Sequence, residues 1–245
     1  MQKIYNKFHF ILLLLIALSI QPVYSQEFTS KINLADSLFE QKKYTESFEL
    51  YQEILEKGHQ LSPRMLLKMS FIKEGLGDYS DALYYLNLYY LHTSNKKVLK
   101  KMEEMAEKHK LQGYAYSDMD FFLTLYFKYS LYITFSLLAL SFLVFVLMFH
   151  QKKRLQKRPV IGGVFFTIIL ALLFYHINFN DTHRKGIIME SDTYLMEAPS
   201  AGADLVEIVK KGHRVDIKGQ QDVWIEIEWA GQKAFVRENN IATIQ

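Results

Sequence analysis

The sequence predicts a multi-domain membrane protein in three successive parts: an all-α region of helical repeats, a two-helix transmembrane hairpin, and a C-terminal all-β small barrel. Three observations carry this reading. Two apolar runs of membrane length, 129–149 (YSLYITFSLLALSFLVFVLMF) and 160–179 (VIGGVFFTIILALLFYHINF), flank a loop at 150–159 that holds Lys152, Lys153, Arg154, Lys157 and Arg158. The stretch before them places apolar residues at helical spacing. The stretch after them alternates apolar and polar residues over short runs broken by glycines.

Each apolar run is long enough to cross a hydrocarbon core of ~30 Å at about 1.5 Å per helical residue. The five basic residues are topology determinants, because short basic loops stay cytoplasmic. The expected location is therefore the inner (cytoplasmic) membrane, with loop 150–159 cytoplasmic and both flanking modules periplasmic. The spans hold no Asp or Glu, and their one ionisable side chain, His176, lies near the outer end. Nothing in them suggests an ion or proton path. Gly162-Gly163 would let the two spans approach closely. The aromatic segment 113–128 (Tyr114, Tyr116, Phe121, Phe122, Tyr126, Phe127) is expected as an interfacial belt with Lys128 snorkelling beside it; a docking patch is the alternative.

The N-terminus points to export independently. Lys3 and Lys7 precede an apolar stretch, 8–20, and Val23 and Ser25 offer small residues before Gln26. The expectation is a signal peptide at 1–25, with an uncleaved anchor as the alternative; either exports the segment from Gln26 onward. The net charge of +3 arises from the leader, Lys128 and the loop, whereas 26–122 carries −2 and 180–245 carries −3. The basic excess thus serves export and orientation, and no nucleic-acid partner is expected. With no Cys, disulfides, thiolate metal sites and Cys nucleophiles are excluded.

Segment 26–112 reads as helices with breaks at Gly58, Ser62-Pro63 and Gly75-Leu76-Gly77-Asp78. Lys43-Tyr44-Thr45-Glu46-Ser47 and Asp78-Tyr79-Ser80-Asp81-Ala82 recur at an offset of 35, each followed by an aromatic-rich helix. Ser47 and Ala82 occupy a small position in the second helix of each pair, and Ala35 and Ser70 lie twelve residues earlier. These are the repeat-packing small positions. The segment resembles a short tetratricopeptide array with a partial third unit at 96–110. Gly77 matches the family's turn glycine, but Lys42 stands there in the first unit, which is degenerate. Such arrays present a surface for peptides or proteins.

In segment 180–245, VWIEIEW (223–229) alternates strictly. Val223, Ile225, Ile227 and Trp229 are expected in the core, with Trp224, Glu226 and Glu228 on the wetter face. The order Tyr194-Leu195, Pro199-Ser200, Lys211-Gly212, Trp224-Ile225, Gly231 and Phe235-Val236 is similar to bacterial SH3-type domains. Trp224, with Tyr194 or Phe235, is the candidate ligand contact; Trp224 covering a barrel end is the alternative.

No metalloprotease, nucleophile-elbow, phosphate-loop, dinucleotide or EF-hand motif occurs. Ser70-x-x-Lys73 and Ser94-x-x-Lys97 match an acylase pattern without its companion motifs. No catalytic residue, cofactor or metal is expected, and the chain reads as a non-enzyme. The ordered combination of leader, repeats, YSDMDFFLTLYFKYS junction, hairpin and SH3-like module resembles the BatE family of the Bacteroides aerotolerance operon. That resemblance implies a scaffold that assembles with von Willebrand A-type Bat membrane proteins and a MoxR-type ATPase. The competing expectation is an envelope sensor whose C-terminal domain binds peptidoglycan.

Overall fold

The computed structural model describes residues 24–57, 61–154, 156, 159–178 and 184–244. The leader up to residue 23, together with Lys157 and Arg158, lies outside the described residues. Within them, eight α-helices precede a seven-stranded sheet. The chain divides into two units, one ending at Ile72 and the other beginning at Lys73.

The first unit contains α1 (Tyr24–Glu40), α2 (Tyr44–Glu56) and most of α3 (Pro63–Gly75). The small residues at the α1–α2 contact have a physical role. Ala35 and Ser47 are both fully buried, and the Ser47 hydroxyl donates to the Ala35 carbonyl at 2.8 Å. A larger side chain at either position would force the helices apart. Below that contact the Tyr51 hydroxyl donates to Asp36 at 2.5 Å, and Lys68 reaches the same carboxylate at 3.0 Å. Burial raises the Asp36 pKa, but the Tyr51 and Lys68 donors outweigh it and hold the group below its ordinary value. Phe39, Tyr44 and Phe71 meet edge-on with centroids 5.4–5.9 Å apart. Ser70 is buried on α3.

In the second unit, α4 (Tyr79–Thr93) follows Gly77, whose φ of +77° suits a glycine turn. Its small position, Ala82, is buried. Helix α5 (Lys96–His109) opens at Asn95, whose side chain accepts from the Lys97 amide at 3.1 Å. It buries one stripe: Val98, Met102, Met105 and Ala106. Helix α6 (Asp118–Lys128) starts with a capping box in which Ser117 and Asp120 exchange side-chain to backbone hydrogen bonds.

Helices α7 (Ser130–Arg154) and α8 (Val160–Asn178) have mean hydropathies of 2.5 and 2.3 over their best windows. Only 6% and 17% of those windows are buried within the protein. A core helix of comparable hydropathy would be mostly covered, so these two are long enough, and apolar enough on their uncovered faces, to cross a membrane. They pack on each other. A Cβ on Gly162 would stand 2.7 Å from Met148 Cγ, so glycine sets the close approach. At the other end, His176 meets the Tyr126 hydroxyl, the Ser130 carbonyl at 3.2 Å and Thr134 Oγ1 at 3.0 Å. Lys152, Lys153 and Arg154 are exposed in the last turn of α7.

The strands are β1 (Arg184–Ile188), β2 (Thr193–Met196), β3 (Leu205–Val209), β4 (Arg214–Gln221), β5 (Trp224–Trp229), β6 (Gln232–Arg237) and β7 (Ile241–Ile244). They form one antiparallel sheet in the order β3-β2-β6-β5-β4-β1-β7. Ile225, Ile227 and Trp229 enter the main core with Ile188, Leu195, Val215 and Val236. The alternation of β5 thus holds from Ile225 onward. Val223 is exposed instead, because it lies in the turn before the strand begins. The Trp229 indole donates to Glu207 at 2.6 Å, which satisfies its one buried polar atom.

Candidate binding site

In the second unit a short segment, 112–116, helps join helices to sheet. It runs beside His213-Arg214: the Arg214 amide donates to the Gln112 carbonyl at 3.1 Å, and the Gln112 amide donates to His213 Nδ1 at 3.0 Å. Gly113 is required at this crossing. Its φ is +88°, and an added Cβ would lie 1.9 Å from the Arg214 carbonyl oxygen. The Tyr114 hydroxyl donates to the Gly212 carbonyl at 2.8 Å.

Arg214 is the centre of the joint and is only 4% exposed. Its Nε donates to the Gly113 carbonyl at 2.7 Å, and Nη1 donates to Asn87 Oδ1 at 3.2 Å and to the Tyr116 hydroxyl. The guanidinium also lies over the rings of Tyr114 and Tyr116, at 5.0 and 4.2 Å from their centroids. Among the described residues it has no carboxylate partner, and its Nη2 is buried without a hydrogen bond. Burial drives the Tyr114 hydroxyl pKa far above its ordinary value; it also raises Tyr116, to about 12, against the opposing Arg214 charge. Both phenols therefore stay neutral and keep their hydroxyl protons.

Two ion pairs flank the joint. Lys211 reaches Asp78 at 2.8 Å, and Lys185 reaches Asp120 at 2.9 Å. For Asp120, burial raises the pKa, but Lys185 together with the Ser117 amide and hydroxyl prevails and brings it down to about 2. Apolar side chains close the contact: Ile187 and Ile244 of the sheet share a buried cluster with Ala82, Leu83, Leu86, Met102 and Tyr114. Tyr114 and Tyr116 are thus packing groups within the protein, not members of an interfacial belt. Phe122, by contrast, is exposed on α6.

Beside Arg214 lies a cavity of about 340 Å³. Its polar lining comes from Asn87, Tyr116, Asp120, Thr124, Ser130, Arg184, Lys185 and Arg214, and its apolar lining from Tyr90, Leu91, Leu123, Phe127 and Ile244. Ser130 is the first residue of α7, so the cavity adjoins the foot of a membrane-length helix.

The residues expected to contact a ligand lie elsewhere. Register places Met196 opposite Phe235, Phe235 opposite Glu226, and Trp224 opposite Arg237. Tyr194, Trp224 and Phe235 therefore share one sheet face. Trp224 and Phe235 are only 8% and 2% exposed, packed with Met196 in a second small cluster, while Tyr194 is 56% exposed beside exposed Ile208. Of the three, only Tyr194 is open to a partner. Among the described residues, no group of three or more His, Asp or Glu could hold a metal. No protein-family model and no curated protein matches this chain.

The Arg214 joint is hidden from a reading of the sequence because its contacts join residues up to 127 positions apart. The one local signal is Gln112-Gly113 followed by two tyrosines. It marks a place where backbone crosses closely and rings cover something.

Proposed function

We propose that this chain is a non-enzymatic membrane scaffold of the BatE type, which presents a tetratricopeptide-like helical region and an SH3-like sheet for protein interaction on the periplasmic side of a two-span anchor. The observation that carries the reading is the buried Arg214 joint. It ties α4 and the 112–116 segment to the sheet, which supports a reading in which both lie on one side of the hairpin. An even number of crossings requires that same-side arrangement, and the basic Lys152-Lys153-Arg154 end of α7 supports a cytoplasmic loop.

The four small positions support the repeat reading: Ala35, Ser47, Ser70 and Ala82 are all buried, and Ala35 and Ser47 meet across α1 and α2. Scaffold chemistry also fits Ser70-x-x-Lys73, one of the two catalytic look-alikes. Burial alone would lower the Lys73 pKa, but Asp81 at 2.7 Å and Asp78 at 3.3 Å outweigh it and keep the ammonium charged. A lysine serving as general base has to be neutral. The partners proposed are von Willebrand A-type membrane proteins. Crosslinking of the tagged full chain in its native cells is expected to capture such proteins. Capture of wall fragments without them would overturn the scaffold and favour the peptidoglycan-binding sensor, for which exposed Tyr194 would be the contact to test.

A further inference from the structure

We infer that the cavity beside Arg214 binds a phosphate-bearing anion, supplied as the phosphodiester headgroup of an anionic lipid at the bilayer surface. The electrostatics of the lining carry the argument. Three cations (Arg184, Lys185, Arg214) and one carboxylate, Asp120, are among the lining residues. That carboxylate is already committed: one oxygen takes Lys185 at 2.9 Å, and the other takes the Ser117 amide at 3.0 Å and hydroxyl at 2.9 Å. Two guanidinium charges remain without a counter-charge among the described residues. Each also keeps a buried nitrogen, Arg184 Nε and Arg214 Nη2, without a hydrogen-bond partner.

A buried charge lacking both a partner and full hydrogen bonding is costly, and Arg offers a planar fork of donors that matches phosphate oxygens. A single phosphodiester in the cavity would offset the excess positive charge of this lining. Leu123 and Phe127 line the same space from α6, and Ser130 opens the membrane-length α7. A headgroup held here would leave its acyl chains beside that helix, as basic pockets at the membrane surface do for acidic lipids. This inference uses the two helices as spans but not the scaffold reading, and a failed partner crosslink leaves it intact.

The test uses the full chain in nanodiscs of phosphatidylcholine, with or without phosphatidylglycerol, reading lipid retention by native mass spectrometry and the thermal midpoint. Phosphatidylglycerol is expected to be retained and to raise the midpoint. Arg184→Gln is expected to weaken retention about tenfold, the loss of one charge-assisted contact. Arg184→Lys, which keeps the charge and loses the fork, should fall between and covers a Gln variant that does not fold. Lys218→Gln, removing an exposed lysine paired with Glu228 outside the cavity, should change nothing. Equal behaviour in the two lipids, or unchanged retention in Arg184→Gln, would overturn the inference. An equal rise with inorganic phosphate in phosphatidylcholine discs would overturn the lipid as the source.

Discussion

Gly113→Ala should open the helix–sheet joint. The φ of +88° costs an L-residue about 1 kcal/mol before any contact is considered. The new Cβ would lie 1.9 Å from the Arg214 carbonyl oxygen, and ordinary contact begins at 3.4 Å, so the two backbones must separate by about 1.5 Å. That displacement breaks the Arg214 amide bond to Gln112 at 3.1 Å and the Arg214 Nε bond to the Gly113 carbonyl at 2.7 Å. The first is worth about 1 kcal/mol and the second, charge-assisted, about 2 kcal/mol. The expected loss is about 4 kcal/mol, or roughly 10 °C in the thermal midpoint of a unit this size. Gly77→Ala is the matched control: its φ is +77°, yet an added Cβ meets nothing within 4 Å, so about 1 kcal/mol is expected. Thermal unfolding of the full chain in detergent reads both, and hydrogen exchange at the Arg214 amide localises the effect. Equal midpoints for the two variants, with wild-type protection at Arg214, would refute the reasoning.

Three further outcomes are expected. Tyr116→Phe removes the hydroxyl between Arg214 and Asn87 and should cost about 1–3 kcal/mol, with a double-mutant cycle against Asn87→Ala showing coupling of about 1 kcal/mol in denaturant titrations. The Asp120 pKa is depressed on folding to about 2, so its contribution is present above the ordinary carboxylate pKa near 4 and is lost as pH falls from there through about 2. Discounted for partial exposure, that contribution is about 1 kcal/mol, and Asp120→Asn should flatten the acid limb of the stability curve over that window. Trp224→Ala should cost ~3–5 kcal/mol as a loss from a packed cluster, whereas Tyr194→Ala should stay within about 0.5 kcal/mol; circular-dichroism melts separate the two and identify Tyr194 as the usable surface probe.

What could be read in advance divides by range of interaction. The apolar runs of α7 and α8 and the Val98–Met102–Met105 stripe of α5 announce themselves because helical periodicity is local. The alternation of β5 is equally visible, but it separates two faces without saying whether the second is covered. Met196 and Phe235 arrive from other strands to cover Trp224, and no pattern within VWIEIEW encodes that. The tyrosines at 114 and 116 mislead for a related reason. Aromatic residues just before an apolar run look like a headgroup belt, and only a partner about a hundred positions away turns them inward. The cavity is still less legible, since Arg184, Lys185 and Arg214 come together only when β1 and β4 pair.

The shared cluster around Ile187 and Ile244 sets an order of assembly on the ribosome. Leu83, Leu86 and Met102 are synthesised long before the strands that cover them, with both membrane-length helices between. During translation that face stays uncovered until both apolar helices have been synthesised and β7 has emerged. If the two helices cross a membrane as proposed, a chain whose second helix failed to insert would leave β1 and β7 across the bilayer from that face, a sticky helical half for chaperones or proteases to recognise. On that reading, abundance of this protein should report how faithfully its second helix is inserted.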